Sequence, residues 1–315
     1  MNQVQKFLLK VYRGVGTSRS RRLAGMVTRG EWTLLQQERL SPPQIYQNHT
    51  AYIKDAICVE LFRKCLLPGD AKVRFEAAVR TFWECETQCA ATNARLTPYI
   101  GSQGPFEKPS DLGVIEFITQ WRKNVSRVLG PLPTQLTPSF SGGSTLSDKG
   151  LLTTIPDKMS STPTVYARSY SIYRHSIQNT ILDDHDRILT PRGNRFFTVP
   201  KDSEKDRGCC VEASGNVSLQ LAVGKLLKKR YEKAYGVDLR HAQPIHRDLA
   251  RKASTGELDL ATIDLSNASD TVARALVELV FPSDWFVLLN SLRAPTTEIE
   301  KRTVYLSKFS SMGNG

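Results

Sequence analysis

Two short stretches near the C-terminal end hold side chains suited to metal, phosphate and sugar chemistry. The first is Ala261-Thr-Ile-Asp264-Leu-Ser-Asn-Ala-Ser-Asp270-Thr. Asp264 follows the β-prone run Leu260-Ala-Thr-Ile and precedes Ser266, Asn267, Ser269 and Asp270, ahead of a helical pattern from Val272 to Val280. The expectation is a strand that delivers one carboxylate to its end, beside a helix start. That placement suits a hard cation such as Mg²⁺, which takes one or two carboxylates, substrate phosphate oxygens and several waters. Asp270 lies where the chain can turn back over the strand end, and a carboxylate there can accept a hydrogen bond from a 2′-hydroxyl, the group that distinguishes RNA from DNA. The alternative is an ordinary strand-end carboxylate at Asp264, with Asp270 or Ser269 as a helix N-cap.

The second stretch is Phe309-Ser-Ser-Met-Gly-Asn314-Gly315. Gly313 and Gly315 tolerate positive φ and carry no Cβ, so this loop can approach a ligand closely. Asn314 offers both a donor and an acceptor. A plain β-turn is the competing reading, because Gly-Asn-Gly is a turn signal in any protein.

At these residues the chain resembles the RNA-directed RNA polymerases of positive-strand RNA bacteriophages, the levivirus replicase catalytic subunit. IDLSNASDT looks like that family's motif A, and FSSMGNG like its motif B. A third likeness, to the basic finger motif along the path of the incoming nucleotide, is Arg192-Gly-Asn-Arg-Phe-Phe-Thr-Val-Pro-Lys201-Asp-Ser-Glu-Lys205-Asp-Arg207-Gly-Cys-Cys-Val-Glu212. A weaker one lies at Phe140-Ser-Gly-Gly-Ser-Thr-Leu-Ser.

The resemblance implies an α+β right-hand polymerase fragment: an N-terminal region and mainly helical fingers over residues 1–255, then the start of an antiparallel-sheet palm over 256–315. It implies RNA-templated RNA synthesis by two-metal nucleotidyl transfer, with Asp264 as a catalytic ligand of Mg²⁺, or of Mn²⁺ in its place. Asp270 and Asn314 would select ribose, and Lys201, Lys205 and Arg207 would grip the triphosphate. Ser310, Ser311, Gly313 and Gly315 would form the loop that reads the template. Without the resemblance, the basic trio reads as an exposed turn paired with Asp202, Glu204 and Asp206. Implied partners are an RNA template, ribonucleoside triphosphates, host elongation factors Tu and Ts and a ribosomal protein, in the cytoplasm of a bacterial host.

Two departures stand out. Ala213 occupies a position where these replicases commonly have proline. The family's Tyr-Gly-Asp-Asp hairpin should follow motif B, whereas this sequence stops at Gly315; its one adjacent aspartate pair, Asp183-Asp184, precedes motif A and reads as a solvated turn. The expectation is therefore the N-terminal part of a longer replicase, ending within its palm and inactive alone. A reverse transcriptase shares the strand aspartate but excludes ribose with a bulky side chain, where this chain has Asp270 and Asn314. A non-catalytic basic RNA-binding protein is the other alternative.

The elements that must position these residues follow from composition and pattern. The 315 residues are 40% hydrophobic and 23% charged, which is ordinary globular material. The formal net charge of +12 is concentrated in two places. Residues 1–30 carry Lys6, Lys10, Arg13, Arg19, Arg21, Arg22 and Arg29 with no acid, and residues 192–252 hold fourteen basic against seven acidic side chains. Such clustering favours a polyanion, through counterion release on phosphate contact. The N-terminus lacks the apolar run of a signal peptide, and no membrane-spanning stretch exists, so the six cysteines are expected reduced rather than in disulfides or zinc sites. Cys85 and Cys89 should share one buried helical face.

Helical spacing places Ile53, Ile57, Leu61 and Cys65, then Val73, Phe75, Val79, Phe82 and Trp83, in a core. A helix from Ile115 to Leu129 should end at Gly130-Pro131, followed by a flexible connection over about 130–163 with a close backbone approach at Gly142-Gly143. The clearest helix runs from Val217 to Tyr235, capped by Ser214 or Asn216 and closed by Gly236, with Lys225, Lys228, Lys229, Arg230 and Lys233 as a solvated or template-holding face.

Overall fold

The computed structural model describes residues 3–65, 71–100, 109–183, 187–263 and 265–314. The chain divides into two compact units, residues 1–81 with 198–208, and residues 82–197 with 209–315. Among the described residues it is α+β and mainly helical, with one small sheet.

In the first unit, α1 (Gln3–Val15), α2 (Ser18–Arg29), α3 (Trp32–Gln37) and α4 (His49–Lys64) pack around Leu8, Tyr12, Leu23, Val27, Cys58 and Phe62. Thr17 caps α2 by accepting from the Ser20 amide, and Gly30 ends it at φ 72°. The apolar face of α4 is rotated from the one the spacing selects: Ile53 and Ile57 are exposed, while Cys58, Val59 and Phe62 are buried. A polar anchor sets that rotation. Asp55 is drawn inward by Arg19 at 3.2 Å, the Thr17 hydroxyl at 2.8 Å and the Tyr46 hydroxyl at 3.2 Å. Part of the basic N-terminal charge is also spent locally, since Arg22 pairs with Glu38 at 2.7 Å and Arg29 with Glu31 at 2.8 Å.

Helix α5 (Ala71–Leu96) runs from the first unit into the second. Val73 and Trp83 are exposed against expectation, whereas Phe82, Cys85 and Cys89 lie on one buried face. Burial raises the Cys89 thiol to about 11, so it is inert at neutral pH.

The second unit continues with α6 (Pro109–Leu129), α7 (Ile155–Ser160), α8 (Tyr170–Ile177), α9 (Ser214–Tyr235), α10 (Ala242–Ser254), α11 (Arg274–Val280) and α12 (Ser283–Leu292). Leu219 and Val223 of α9 pack with Trp285 and Leu292 of α12 and with Tyr173 and Ile177 of α8. The Trp285 indole donates to the Gly130 carbonyl at 2.7 Å, tying α12 to the end of α6. Arg230, expected on a solvated face, instead donates to the Leu129 carbonyl and stacks 5.2 Å from the Trp285 ring. Gly236 closes α9 at φ 70° as expected, but the N-cap is Ala213, without a side-chain cap. Ser214 and Asn216 lie inside the helix because Thr164 serves its first amides: the Thr164 hydroxyl accepts from Ser214 N and the Thr164 carbonyl from Gly215 N, each at 2.9 Å. Ala213 holds φ −66°, the angle a proline would impose, so the backbone angle there suits either residue.

The segment expected as a flexible connection has little regular structure but carries a buried polar network. Thr145 donates to Asp148, Ser161 donates to Asp148 at 2.5 Å, and Lys158 donates to the Ser141 carbonyl at 2.7 Å. Gly143 adopts φ 102°, which explains the glycine by backbone angle; a Cβ at Gly142 or Gly143 would meet nothing within 4 Å, so the expected close approach is absent there.

The sheet orders its strands β2-β1-β3-β4, from β1 (Asn194–Pro200), β2 (Asp206–Val211), β3 (Thr296–Ile299) and β4 (Arg302–Tyr305). It is mixed rather than antiparallel: β1 runs parallel to β3, with Asn194 opposite Thr297, and β3 antiparallel to β4. A parallel pair needs a long crossover, supplied here by α9 to α12 between β1 and β3. Residues 260–263 form no strand, and Leu260 and Ile263 are exposed at 52% and 84%. β-prone residues pair only where a partner edge covers them, and no described strand does so here.

Candidate active site

The Asp270 segment and the Ser310–Asn314 loop lie side by side within the second unit. Asn267 takes φ 54°, a left-handed conformation that asparagine tolerates, and starts a single 3-10 turn over Ala268–Thr271. The chain then pairs antiparallel with the residues before the loop: Ala273 opposes Lys308, Phe309 N donates to Val272 O at 2.6 Å, and Arg274 N donates to Ser307 O at 3.1 Å. The Ser310 hydroxyl closes the junction by donating to the Ser269 carbonyl at 2.7 Å. Helix α5 clamps both segments. Glu86 accepts from Ser307 N at 2.7 Å, and Asn93 donates to Ser307 O and accepts from Ala275 N, both at 2.8 Å.

Asp270 is not a helix cap. Helix α11 begins only at Arg274, with Ala273 as its N-cap. The Asp270 carboxylate instead accepts from Lys308 Nζ at 2.8 Å on Oδ1 and from the Ser269 hydroxyl at 3.0 Å on Oδ2. Its side chain keeps 20% of its surface exposed, whereas that of Lys308 keeps 1%.

The loop is shaped by β2. Cys210 N donates to Met312 O at 2.8 Å, and Gly313 follows at φ 104° with room for no side chain, because a Cβ would stand 2.4 Å from the Cys210 carbonyl oxygen. The close approach expected of this glycine is therefore to its own sheet. Gly313→Ala should cost roughly 1–3 kcal/mol through the backbone angle alone, with the clash in addition. Thermal melting checks this; an unchanged midpoint would contradict the close approach. Asn314 turns its amide inward, Oδ1 accepting from Ser311 N and Nδ2 donating to Glu212 Oε1 at 2.8 Å.

Glu212 is the hub of the site, and spacing alone gave it no role. Its side chain is fully buried at the end of β2 and also accepts from Asn194 Nδ2 at 2.6 Å and the Tyr166 hydroxyl at 2.7 Å. Burial holds this carboxyl above the usual range, although hydrogen bonds from Asn194, Tyr166, Asn314 and Gln220 pull the other way. The available signal was a lone acid in the otherwise uncharged run Cys209-Cys-Val-Glu-Ala-Ser. Lys308 and Asn93 gave no comparable signal.

Lys201, Lys205 and Arg207 belong to the first unit and are all exposed. The neighbouring acids are engaged elsewhere: Asp202 accepts from the Glu204 and Lys205 amides, Glu204 pairs with Arg39 at 3.2 Å, and Asp206 pairs with Arg74 at 3.1 Å. Among the described residues the three cations form no ion pair, so the local charge-paired turn is not what forms. Asp264 and Gly315 lie outside the described residues, as does Asp184. Among the described residues no three His, Cys, Asp or Glu side chains converge as metal ligands, and no helix is long and apolar enough to cross a membrane.

The chain is mainly helical α+β and sets the Asp270 turn and the Ser310–Asn314 loop side by side next to a small sheet. It belongs to the RNA replicase, beta-chain family, which it matches over residues 39–315. It is 31% identical over 240 residues to the RNA-directed RNA polymerase subunit beta of Escherichia virus Qbeta, covering 74% of this chain and 39% of that protein. It is 33% identical over 250 residues to the subunit of the same name from Enterobacteria phage SP, covering 76% and 41%. The RNA-directed RNA polymerase beta chain of Escherichia phage MS2 is 39% identical over 123 residues, covering 39% of this chain and 22% of its own length. The chain thus spans about two fifths of the length of the first two relatives.

Proposed function

We propose that this chain reads the incoming ribonucleotide in a phage RNA-directed RNA polymerase, within the cytoplasm of an infected bacterium. The observation that carries the reading is the junction of the Asp270 turn with the Ser310–Asn314 loop, sealed by the Ser310 to Ser269 hydrogen bond of 2.7 Å. Two segments distant in sequence meet there with a carboxylate and an amide, the groups that can bracket a 2′-hydroxyl. Asn314 retains one amide hydrogen and one lone pair beyond its bonds to Glu212 and Ser311.

In this reading residues 1–255 are N-terminal region and fingers, and 256–315 begin the palm. Lys201, Lys205 and Arg207 neutralise triphosphate, and Ser310, Ser311, Gly313 and Gly315 form the template-side loop. Asp270 is committed to the Lys308 ammonium, and in this reading Asp264, outside the described residues, would be the carboxylate that holds Mg²⁺ or Mn²⁺ beside substrate phosphates. The metal, when bound, stabilises charge on the attacking and leaving oxygens. Elongation factors Tu and Ts and a ribosomal protein would serve the assembled enzyme.

The test is incorporation of labelled ribonucleotides by the replicase that contains this chain, with and without RNA template. Template-dependent RNA product supports the reading. RNA binding without incorporation would replace it with a non-catalytic RNA-binding function.

A further inference from the structure

We infer that Lys308 is a positioning residue for sugar recognition: its buried ammonium fixes the Asp270 carboxylate in the orientation that meets the ribose. The inference rests on the proposed ribose-reading role of Asp270. The Lys308 side chain is 1% exposed, and its Nζ lies 2.8 Å from Asp270 Oδ1, 4.2 Å from the centroid of the Phe82 ring and 3.9 Å from Glu86 Oε1. Burying an ammonium group is costly, and an aliphatic side chain would pack against Phe82 without that cost. The charge therefore points to a task beyond packing.

The geometry supplies that task. With Oδ1 held by Lys308 and Oδ2 touched by the Ser269 hydroxyl at 3.0 Å, the carboxylate cannot rotate freely, yet it keeps an exposed edge. Glu86 does not compete strongly for the cation. Its Oε2 accepts from the Ser307 amide at 2.7 Å, its Oε1 has no hydrogen bond and stands 3.9 Å from the ammonium against 2.8 Å for Asp270, and burial raises its pKa while the Ser307 amide and Lys308 lower it. The backbone pairing of Ala273 with Lys308 sets the lysine in register before any nucleotide arrives.

The experiment compares kcat/KM for ATP and dATP in the active replicase carrying Lys308→Met, Lys308→Gln, Asp270→Ala, or Asp270→Ala combined with either lysine change. Two uncharged lysine variants are used so that one reports where the other fails to fold, with thermal melting run on each. The expected result is a loss of about tenfold in the ATP-to-dATP preference in the lysine variants, and less than about twofold further loss when a lysine change is added to Asp270→Ala. A lysine that merely supports the fold would lower both efficiencies together and leave the preference unchanged. A reduced preference in Asp270→Ala with a wild-type preference in the lysine variants overturns the role of Lys308 alone. A wild-type preference in Asp270→Ala overturns the ribose reading and this inference with it.

Discussion

Under the proposed reading, Asp264→Asn is expected to abolish RNA synthesis by an active replicase carrying this sequence, while leaving RNA binding close to wild type. Asparagine keeps the size of the side chain and removes the charge that a hard cation requires. If the bound metal stabilises the transition state by about 4 kcal/mol, its loss lowers the rate about 10³-fold. RNA affinity depends mainly on phosphate contacts with basic side chains, which this substitution does not touch. Single-turnover incorporation and a filter-binding titration on one preparation check both halves. Incorporation within a few-fold of wild type would remove Asp264 from the catalytic centre.

Glu212→Ala should be the most damaging substitution for the fold. It strands hydrogen-bond donors on Tyr166, Asn194, Asn314 and Gln220 around one buried carboxyl. Each buried group left unpaired costs about 1–3 kcal/mol. Even with water entering the cavity, a loss of about 4 kcal/mol is expected, a large share of the roughly 5–15 kcal/mol that holds a domain together. The pH response has a definite sign. A carboxyl whose folded pKa is raised binds more protons in the native state, so its contribution is most favourable below the ordinary carboxylate pKa and is lost as pH rises through the raised value. Glu212→Gln, which keeps the volume and removes the ionisation, should flatten that part of the stability profile. Denaturant unfolding from pH 4 upward measures it, and an identical slope in the two proteins would show that Glu212 does not titrate with folding.

Where local chemistry decides structure, the sequence was informative. Gly236 ends α9 in a left-handed conformation, Cys85 and Cys89 share a buried face, and Gly313 takes the positive φ that its type permits. The motifs around Asp270 and Asn314 marked the loops that converge. What was not legible depended on contacts with distant segments. The rotation of α4 follows from Asp55 meeting Arg19 and Thr17, which a count of apolar positions cannot contain. Ser214 and Asn216 lost the capping role because Thr164 reaches the same amides from 50 residues away. Leu260 to Ile263 have strand-forming side chains, but a strand also needs an edge to pair with. Lys308 and Glu212 sit beside recognisable motifs, and only the folded chain shows that Lys308 holds Asp270 and Glu212 holds Asn314.

The most direct measurement is competition between ATP and dATP opposite the same template base, read as a ratio of catalytic efficiencies in wild-type replicase and in Asp270→Ala and Asn314→Ala variants. If the two side chains bracket the 2′-hydroxyl, wild type should prefer ATP by about tenfold or more, and each variant should lose much of that preference, because the deoxy substrate no longer leaves a buried polar group unpaired. A wild-type ratio in both variants would contradict the assignment, returning Asp270 to a carboxylate that only neutralises Lys308 and Asn314 to a residue that only shapes its loop.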